Sequence, residues 1–244
     1  MKDNFSSQAD LYSLYRPVYP KELFEFILSQ VGQRETAWDC ATGNGQTAAE
    51  LAKYFISVYA TDISQRQLDH AVQMPNIIYT VQPAERTSFE NNSFDLITVS
   101  QALHWFRFDE FYNEVKRVGK PGAVIAAWAY SLLTVSPPVD ELIRDYHFNT
   151  LKDYWDEERK YVDEGYRNIP FPFEQIASPQ FFISSYWSLQ EMEGYLHTWS
   201  ALQKFMKVNE NDPVKELVDK LKAYWPEGKA KVVFPVHLKL GRIE

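Results

Sequence analysis

Two glycines and two carboxylates at the ends of apolar runs are the residues of this chain best placed to do chemistry. The segment Trp38-Asp39-Cys40-Ala41-Thr42-Gly43-Asn44-Gly45-Gln46 joins an apolar strand end to a helix start. Glycine accepts positive φ and has no Cβ, so Gly43 and Gly45 permit a tight bend that bares amide N–H groups beside the positive end of the next helix. A polar or anionic small molecule suits such a loop, although glycine pairs also serve as plain turns. Asp62 closes the next strand, Tyr59-Ala60-Thr61-Asp62, 17 positions beyond Gly45. In a doubly wound sheet an acid there points into the crevice above the glycine loop, where it can accept hydrogen bonds from both hydroxyls of a ribose. The competing reading of Asp62 is a helix N-terminal charge before Ile63-Ser64. Gly43-Asn44-Gly45-Gln46-Thr47-Ala48 also satisfies the GxGxxA dinucleotide fingerprint, which keeps a nicotinamide dehydrogenase in view. Asp39 argues against it: a carboxylate ahead of the loop repels a pyrophosphate and suits a ligand carrying an ammonium group.

Those residues need a scaffold that brings several strand ends to one edge. Short apolar strands over 36–40, 55–61, 76–81 and 94–100 alternate with helices over 45–53 and 64–72, the rhythm of parallel strands with helical crossovers. A helix over 19–28, with Pro20 near its first position, is expected to cover the edge of the sheet. A helix over 108–118 is stopped by Gly119-Lys120-Pro121-Gly122, and 123–130 is a continuous apolar run suited to a strand buried on both faces. From 131 to 177 the composition turns aromatic, charged and helical, with helices over 140–150 and 151–165 and the loop Ile169-Pro170-Phe171-Pro172-Phe173. Strands over 180–187 and 231–240 flank a helical stretch over 190–224 and pair antiparallel at the sheet edge. Pro235 favours an edge or a bulge.

Composition narrows the function classes. With 244 residues, 45% hydrophobic, the chain buries a full core as one domain carrying an insertion. Its 33 acidic against 25 basic residues give a formal charge of −8, which disfavours nucleic acid and anionic membranes as partners. Cys40 is the sole cysteine, the first thirty residues hold no signal-like apolar stretch, and no run of about 18 apolar residues is present. A cytoplasmic location follows as the expectation. The five histidines lack metal-ligand spacing, so no metal is expected.

Asp39-Cys40-Ala41-Thr42-Gly43-Asn44-Gly45, Asp62, Pro83-Ala84-Glu85, Asn92-Ser93-Phe94-Asp95-Leu96-Ile97 and Arg117-Val118-Gly119-Lys120-Pro121-Gly122-Ala123 occur in that order over residues 36 to 130. Together they resemble the class I S-adenosylmethionine-dependent methyltransferases (methyltransferase type 11 domain). The resemblance implies a Rossmann-like α/β fold: a seven-stranded, mostly parallel sheet with an antiparallel C-terminal strand, helices on both faces and a helical insertion over the active site. It implies an N-terminal helical arm over 1–34, a cofactor-binding core over 35–130, a helical substrate cap over 131–178, and C-terminal strands and helices over 179–244. The implied cofactor is S-adenosyl-L-methionine, held by Tyr15, Asp39, Ala41, Gly43, Gly45, Asp62, Ile63, Ala84, Glu85 and Gln101. Ala41 departs from the pattern, which usually has glycine there, and implies a slightly altered loop. Tyr12, Tyr15-Arg16-Pro17-Val18-Tyr19-Pro20, Gln101-Ala102-Leu103-His104-Trp105-Phe106, Tyr195-Leu196-His197-Thr198-Trp199-Ser200 and Phe234-Pro235-Val236-His237-Leu238 are similar to the trans-aconitate methyltransferase-like branch. That narrower likeness implies small carboxylic acids as substrates.

Methyl transfer from a sulfonium is an in-line displacement, so the protein must chiefly align the reactants and exclude water. A carboxylate acceptor is ionised at neutral pH and needs no base, whereas a hydroxyl or amine is helped by one. His104, after the fourth strand, is the catalytic candidate, either bonding the acceptor or removing its proton; the bland reading is a loop histidine packed on Trp105. Arg16 is a candidate clamp for a cofactor or substrate carboxylate, and Trp105 a substrate wall. Tyr146, Trp155 and Trp199 read more readily as core, and Arg159, Lys160 and Arg167 as a solvated face. The expected partner is a small-molecule methyl acceptor, with the protein a monomer or homodimer. A non-catalytic S-adenosylmethionine binder stays open beside the enzyme and the dehydrogenase.

Overall fold

The computed structural model describes Tyr15 and residues 17–244; Tyr12 and Arg16 lie outside them. Helix α1 (Lys21–Ser29) precedes strand β1 (Thr36–Cys40), which leads through the short helix α2 (Gln46–Leu51) to β2 (Ser57–Asp62). Helix α3 (Gln65–Asp69), β3 (Ile77–Val81), β4 (Phe94–Ser100), α4 (Phe108–Val118) and β5 (Gly119–Tyr130) follow. Beyond them lie α5 (Pro137–Asp145), α6 (Arg159–Asp163), the two-residue β6 (Glu174–Gln175) and β7 (Phe181–Trp187). Helices α7 (Leu189–His197), α8 (Ser200–Asn209) and α9 (Val214–Leu221) precede β8 (Ala230–Arg242). The sheet runs β3-β2-β1-β4-β5-β8, with β7 and β6 along the outer side of β8. Strands β1 to β5 pair in parallel, while β8 is antiparallel to β5 and β7.

Alternation of side chains explains why the sheet is covered on both faces. Along β5, Val124, Ala126, Trp128 and Tyr130 enter one core with Leu23, Ile27 and Leu51 of α1 and α2. Ala123, Ile125, Ala127 and Ala129 enter the other, with Phe111, Val115 and Val118 of α4. A strand buried on both faces carries an almost unbroken apolar run, which is what 123–130 is. Strand order reverses between β1 and β4, and the crevice outside their carboxyl ends is where open α/β sheets bind ligands.

Four local readings of the sequence change. Gly119-Lys120-Pro121-Gly122 is not a free turn: β5 begins at Gly119 and the extra residues form a bulge, seen as the register shift between Phe94 and Leu96. β8 runs inside the sheet rather than at its edge. Pro235 is tolerated there because its backbone faces the end of β5, where its carbonyl accepts the Ser131 N–H at 3.2 Å and no donor is needed. The helices expected over 140–150 and 151–165 break at a π turn (Tyr146–Thr150) and a 3-10 turn (Lys152–Tyr154). Trp155 fixes that break by donating its indole N–H to the His147 carbonyl at 3.0 Å. The stretch over 190–224 is three helices, the first opened by a capping box of Ser188 and Glu191.

Gly45 caps α2 in a left-handed conformation, φ 77°, and a Cβ there would collide with the Tyr79 hydroxyl. That hydroxyl donates to the Val72 carbonyl at 2.6 Å, so the ring is not free to swing away. Gly45→Ala is expected to lower unfolding free energy by about 2 kcal/mol or more, from left-handed strain plus the collision. Adding Tyr79→Phe should return part of that loss; equal losses in the single and double variants in urea unfolding would contradict the assignment.

Candidate active site

A cleft opens above the carboxyl ends of β1, β2 and β4. On one side it is lined by Ala41, Thr42, Gly43, Asp62, Ile63 and Gln67. Asp62 organises that side: one carboxylate oxygen accepts the Gly43 N–H at 2.9 Å and the other the Ser64 N–H at 2.9 Å. The glycine loop is thereby tied to the end of β2. Gly43, at φ 57°, meets nothing nearer than the Gln67 amide oxygen at 4.0 Å where a Cβ would stand, so bare backbone faces the cleft. Ala41 also holds a left-handed conformation, φ 53°. This is the strain expected where alanine replaces glycine.

Asp39 lies beneath the loop with no exposed surface. Its carboxylate accepts from the hydroxyls of Thr42 at 2.5 Å and Thr98 at 2.8 Å. Burial pushes its pKa up to about 6, against the opposing pull of those two hydrogen bonds.

Across the cleft, Gln101 follows β4 at φ 55°. Its side-chain amide clamps Tyr130 at the end of β5, accepting the backbone N–H at 2.9 Å and donating to the carbonyl at 3.2 Å. The short helical turn Leu103–Trp105 then presents His104. His104 is buried, its ring 4.8 Å from that of Trp105, and its Nδ1 lies 2.9 Å from the Tyr166 hydroxyl. Burial, aided by the positive charge of Arg159, lowers its pKa to about 3. The imidazole is therefore neutral at any physiological pH, a hydrogen-bonding group and a very weak base. Residues from beyond β5 complete the wall: Trp155, Asp156, Arg159, Trp199 and Ser200.

A methyltransferase domain model matches residues 38–127, the span that carries β1 to β5 and the glycine loop. A methyltransferase-family protein of Dictyostelium discoideum is 34% identical over 99% of this chain and 95% of its own length. A solved structure from Anaeromyxobacter dehalogenans, of a protein assigned as a type II methyltransferase, is 38% identical, covers 94% of this chain and 98% of that one, and superposes with a TM-score of 0.87. The chain belongs to the class I S-adenosylmethionine-dependent methyltransferases. An uncharacterized methyltransferase of Mycobacterium tuberculosis is 30% identical over half of each chain. Family membership replaces the nicotinamide reading of the GxGxxA pattern.

In this methyltransferase the expected cofactor residues fall into four groups. Ala41, Gly43, Asp62, Ile63 and Gln101 line the cleft. Asp39 and Gly45 sit under it, one as a buried charge and the other as the helix cap. Ala84 and Glu85 follow β3 and do not line it: Ala84 is buried, and Glu85 accepts the Arg107 N–H at 3.2 Å. Tyr15 is elsewhere, packed on Gly194 of α7, where a Cβ would come within 2.5 Å of its ring. Of the expected acceptor-side residues, His104 and Trp105 both line the cleft, and Arg16 lies outside the described residues. Sequence reasoning missed Gln67, placed one turn after Asp62 on the buried side of α3. It also missed Tyr166, which reaches His104 across 62 residues of chain and left no local signal. Arg159 and Trp155, read as solvated face and core, are cleft residues, whereas Tyr146 is buried in the core. The donor set fits S-adenosylmethionine: a carboxylate for ribose hydroxyls, a side-chain-free turn for the amino-acid end, and a buried acid under that turn for an ammonium.

The Asp39 carboxyl is held above its usual 3.8 in the fold, so its contribution to stability is full below about pH 3.8 and lost as pH rises through about 6. Asp39→Asn removes that loss. In urea unfolding the variant is expected to gain on the order of 1–3 kcal/mol over wild type at pH 7.5, shrinking toward zero near pH 4. A difference independent of pH would contradict the buried charge.

Proposed function

We propose that this methyltransferase acts on a small molecule and that its acceptor is a carboxylate. The observation that carries the reading is the neutral, weakly basic His104 at the acceptor end of the cleft. A hydroxyl would need a partner able to take its proton, and a histidine with pKa about 3 is a poor one. A carboxylate arrives ionised.

Bound S-adenosylmethionine supplies an electrophilic sulfonium methyl group. Asp62 would accept from the ribose hydroxyls, the Gly43 turn would hold the amino-acid end, and Asp39 beneath it would favour the ammonium. In the tautomer that carries its proton on Nε2, His104 accepts the Tyr166 hydroxyl at Nδ1, 2.9 Å away. His104 would then donate through Nε2 to the acceptor and fix its direction of attack. Trp105, Trp155 and Trp199 would exclude water while nucleophile, methyl carbon and sulfur are in line. Arg16 is a further candidate clamp on a carboxylate. The likeness to the trans-aconitate methyltransferase-like branch supports the same substrate class. No described helix is long and apolar enough to cross a membrane. A cytoplasmic protein, monomer or homodimer, without nucleic-acid or membrane partners completes the proposal.

The test is formation of S-adenosylhomocysteine across a panel of small acids and their matched alcohols and amines. Turnover is expected with acids, at a rate flat between about pH 7 and 8, above the Asp39 pKa of about 6. Asp62→Ala should raise the cofactor Kd about 10- to 150-fold, the loss of a hydrogen bond to a charged group. Turnover confined to alcohols or amines, rising through the ordinary histidine pKa, would contradict the reading.

A further inference from the structure

Arg159 stands out among the charged residues of the cleft because its polar atoms are only partly used. Its Nε donates to Asp163 at 2.9 Å, and its guanidinium carbon lies 4.7 Å from the centroid of the Trp155 ring. These two contacts fix the plane of the fork, one from its edge and one from its face. The remaining guanidinium nitrogens make no hydrogen bond to any described residue, yet the side chain is only 22% exposed and lines the cleft. Half-buried N–H donors with no protein acceptor, held in one orientation, are arranged for a ligand.

The neighbouring charges leave that role to Arg159. Asp156, also in the cleft wall, is paired with Lys204 at 2.7 Å, so each offsets the other. Asp163 is braced from behind by His147 Nε2 at 3.3 Å, and burial lowers the proton affinity of that histidine, which leaves Arg159 as the cation facing Asp163. The positive potential of Arg159 extends to His104, whose protonation it opposes, so the two side chains share one end of the cleft. Their roles there are complementary: a fixed fork for a planar anion, and a single neutral donor.

We infer that Arg159 is a specificity-determining residue that anchors the acceptor through a carboxylate other than the one that is methylated. A carboxylate held by a guanidinium fork has its lone pairs engaged and is a poorer nucleophile, so the anchored group and the reacting group are different groups on one molecule. The acceptor class is then a small organic acid with a second carboxylate. This rests on the methyl-acceptor reading above, and it assigns to the 131–178 insertion the selection of substrate by charge.

The experiment is calorimetric titration of the full-length protein, saturated with S-adenosylhomocysteine, with succinate and with the uncharged succinamide. Wild type is expected to bind succinate at least about 10-fold more tightly than succinamide, the size of a charge-assisted hydrogen-bonded pair. Arg159→Gln should abolish that preference, Arg159→Lys should keep part of it, and neither should change the Kd of S-adenosylhomocysteine. A preference that survives in Arg159→Gln, or is absent from wild type, overturns the inference. The same titration without S-adenosylhomocysteine separates the two claims. Failure of S-adenosylhomocysteine to bind wild type would strike the cofactor reading, while the dependence of succinate binding on Arg159 would still be read.

Discussion

The carboxylate of Asp62 accepts one amide from the glycine loop, at Gly43, and one from the turn into α3, at Ser64, and the cofactor side of the cleft depends on that bridge. Without it the loop after β1 would be anchored chiefly through Asp39 and the backbone bond from Thr42 to Thr61. With it, the ends of β1 and β2 form one rim, and Asp62 lines the cleft. A side chain that positions the loop and also lines the cleft couples loop geometry to the shape of the cleft, which is preorganised as a result.

The rim rests on the sheet. β1 is bonded on both sides, to β2 and β4, and its neighbours are buried on both faces, so the strand ends cannot shift independently. The Gln101 clamp on Tyr130 extends the same constraint to β5. On this platform the protein keeps three local strains or costs: left-handed Ala41, left-handed Gln101 and the buried charge of Asp39. All three lie at the strand ends that form the cleft. Sites that bind and react commonly hold such features, and the surrounding packing over-determines them.

The alternating strands and helices of 36–130 are legible in the sequence because burial there is periodic: glycine and proline mark the turns, and apolar runs mark strands covered on two faces. Gly43, Gly45 and Asp62 are legible for the same reason, since a strand end, a turn and a helix start constrain each other locally. The 131–178 insertion is not. Trp155 breaks its helix through a contact with His147, and Arg159 is held by Asp163 and Trp155, each four residues away; that spacing is helical, but nothing in the charge pattern marks which side of the turn faces the cleft. Tyr166 is further from reach, since its meaning depends on His104 across the fold. The glycine-loop side of the cleft leaves local patterns, whereas the wall contributed by His104, Tyr166 and Arg159 is assembled by contacts between separate segments.

The central claim is that the rim formed by Asp62 and the Gly43 turn holds S-adenosylmethionine. A crystal structure of the complex with S-adenosylhomocysteine tests it most directly. The account predicts both ribose hydroxyls within about 2.5–3.0 Å of the Asp62 carboxylate oxygens, with the amino-acid end over Gly43. A ligand bound away from the carboxyl ends of β1 and β2, or with its ribose out of reach of Asp62, would contradict it.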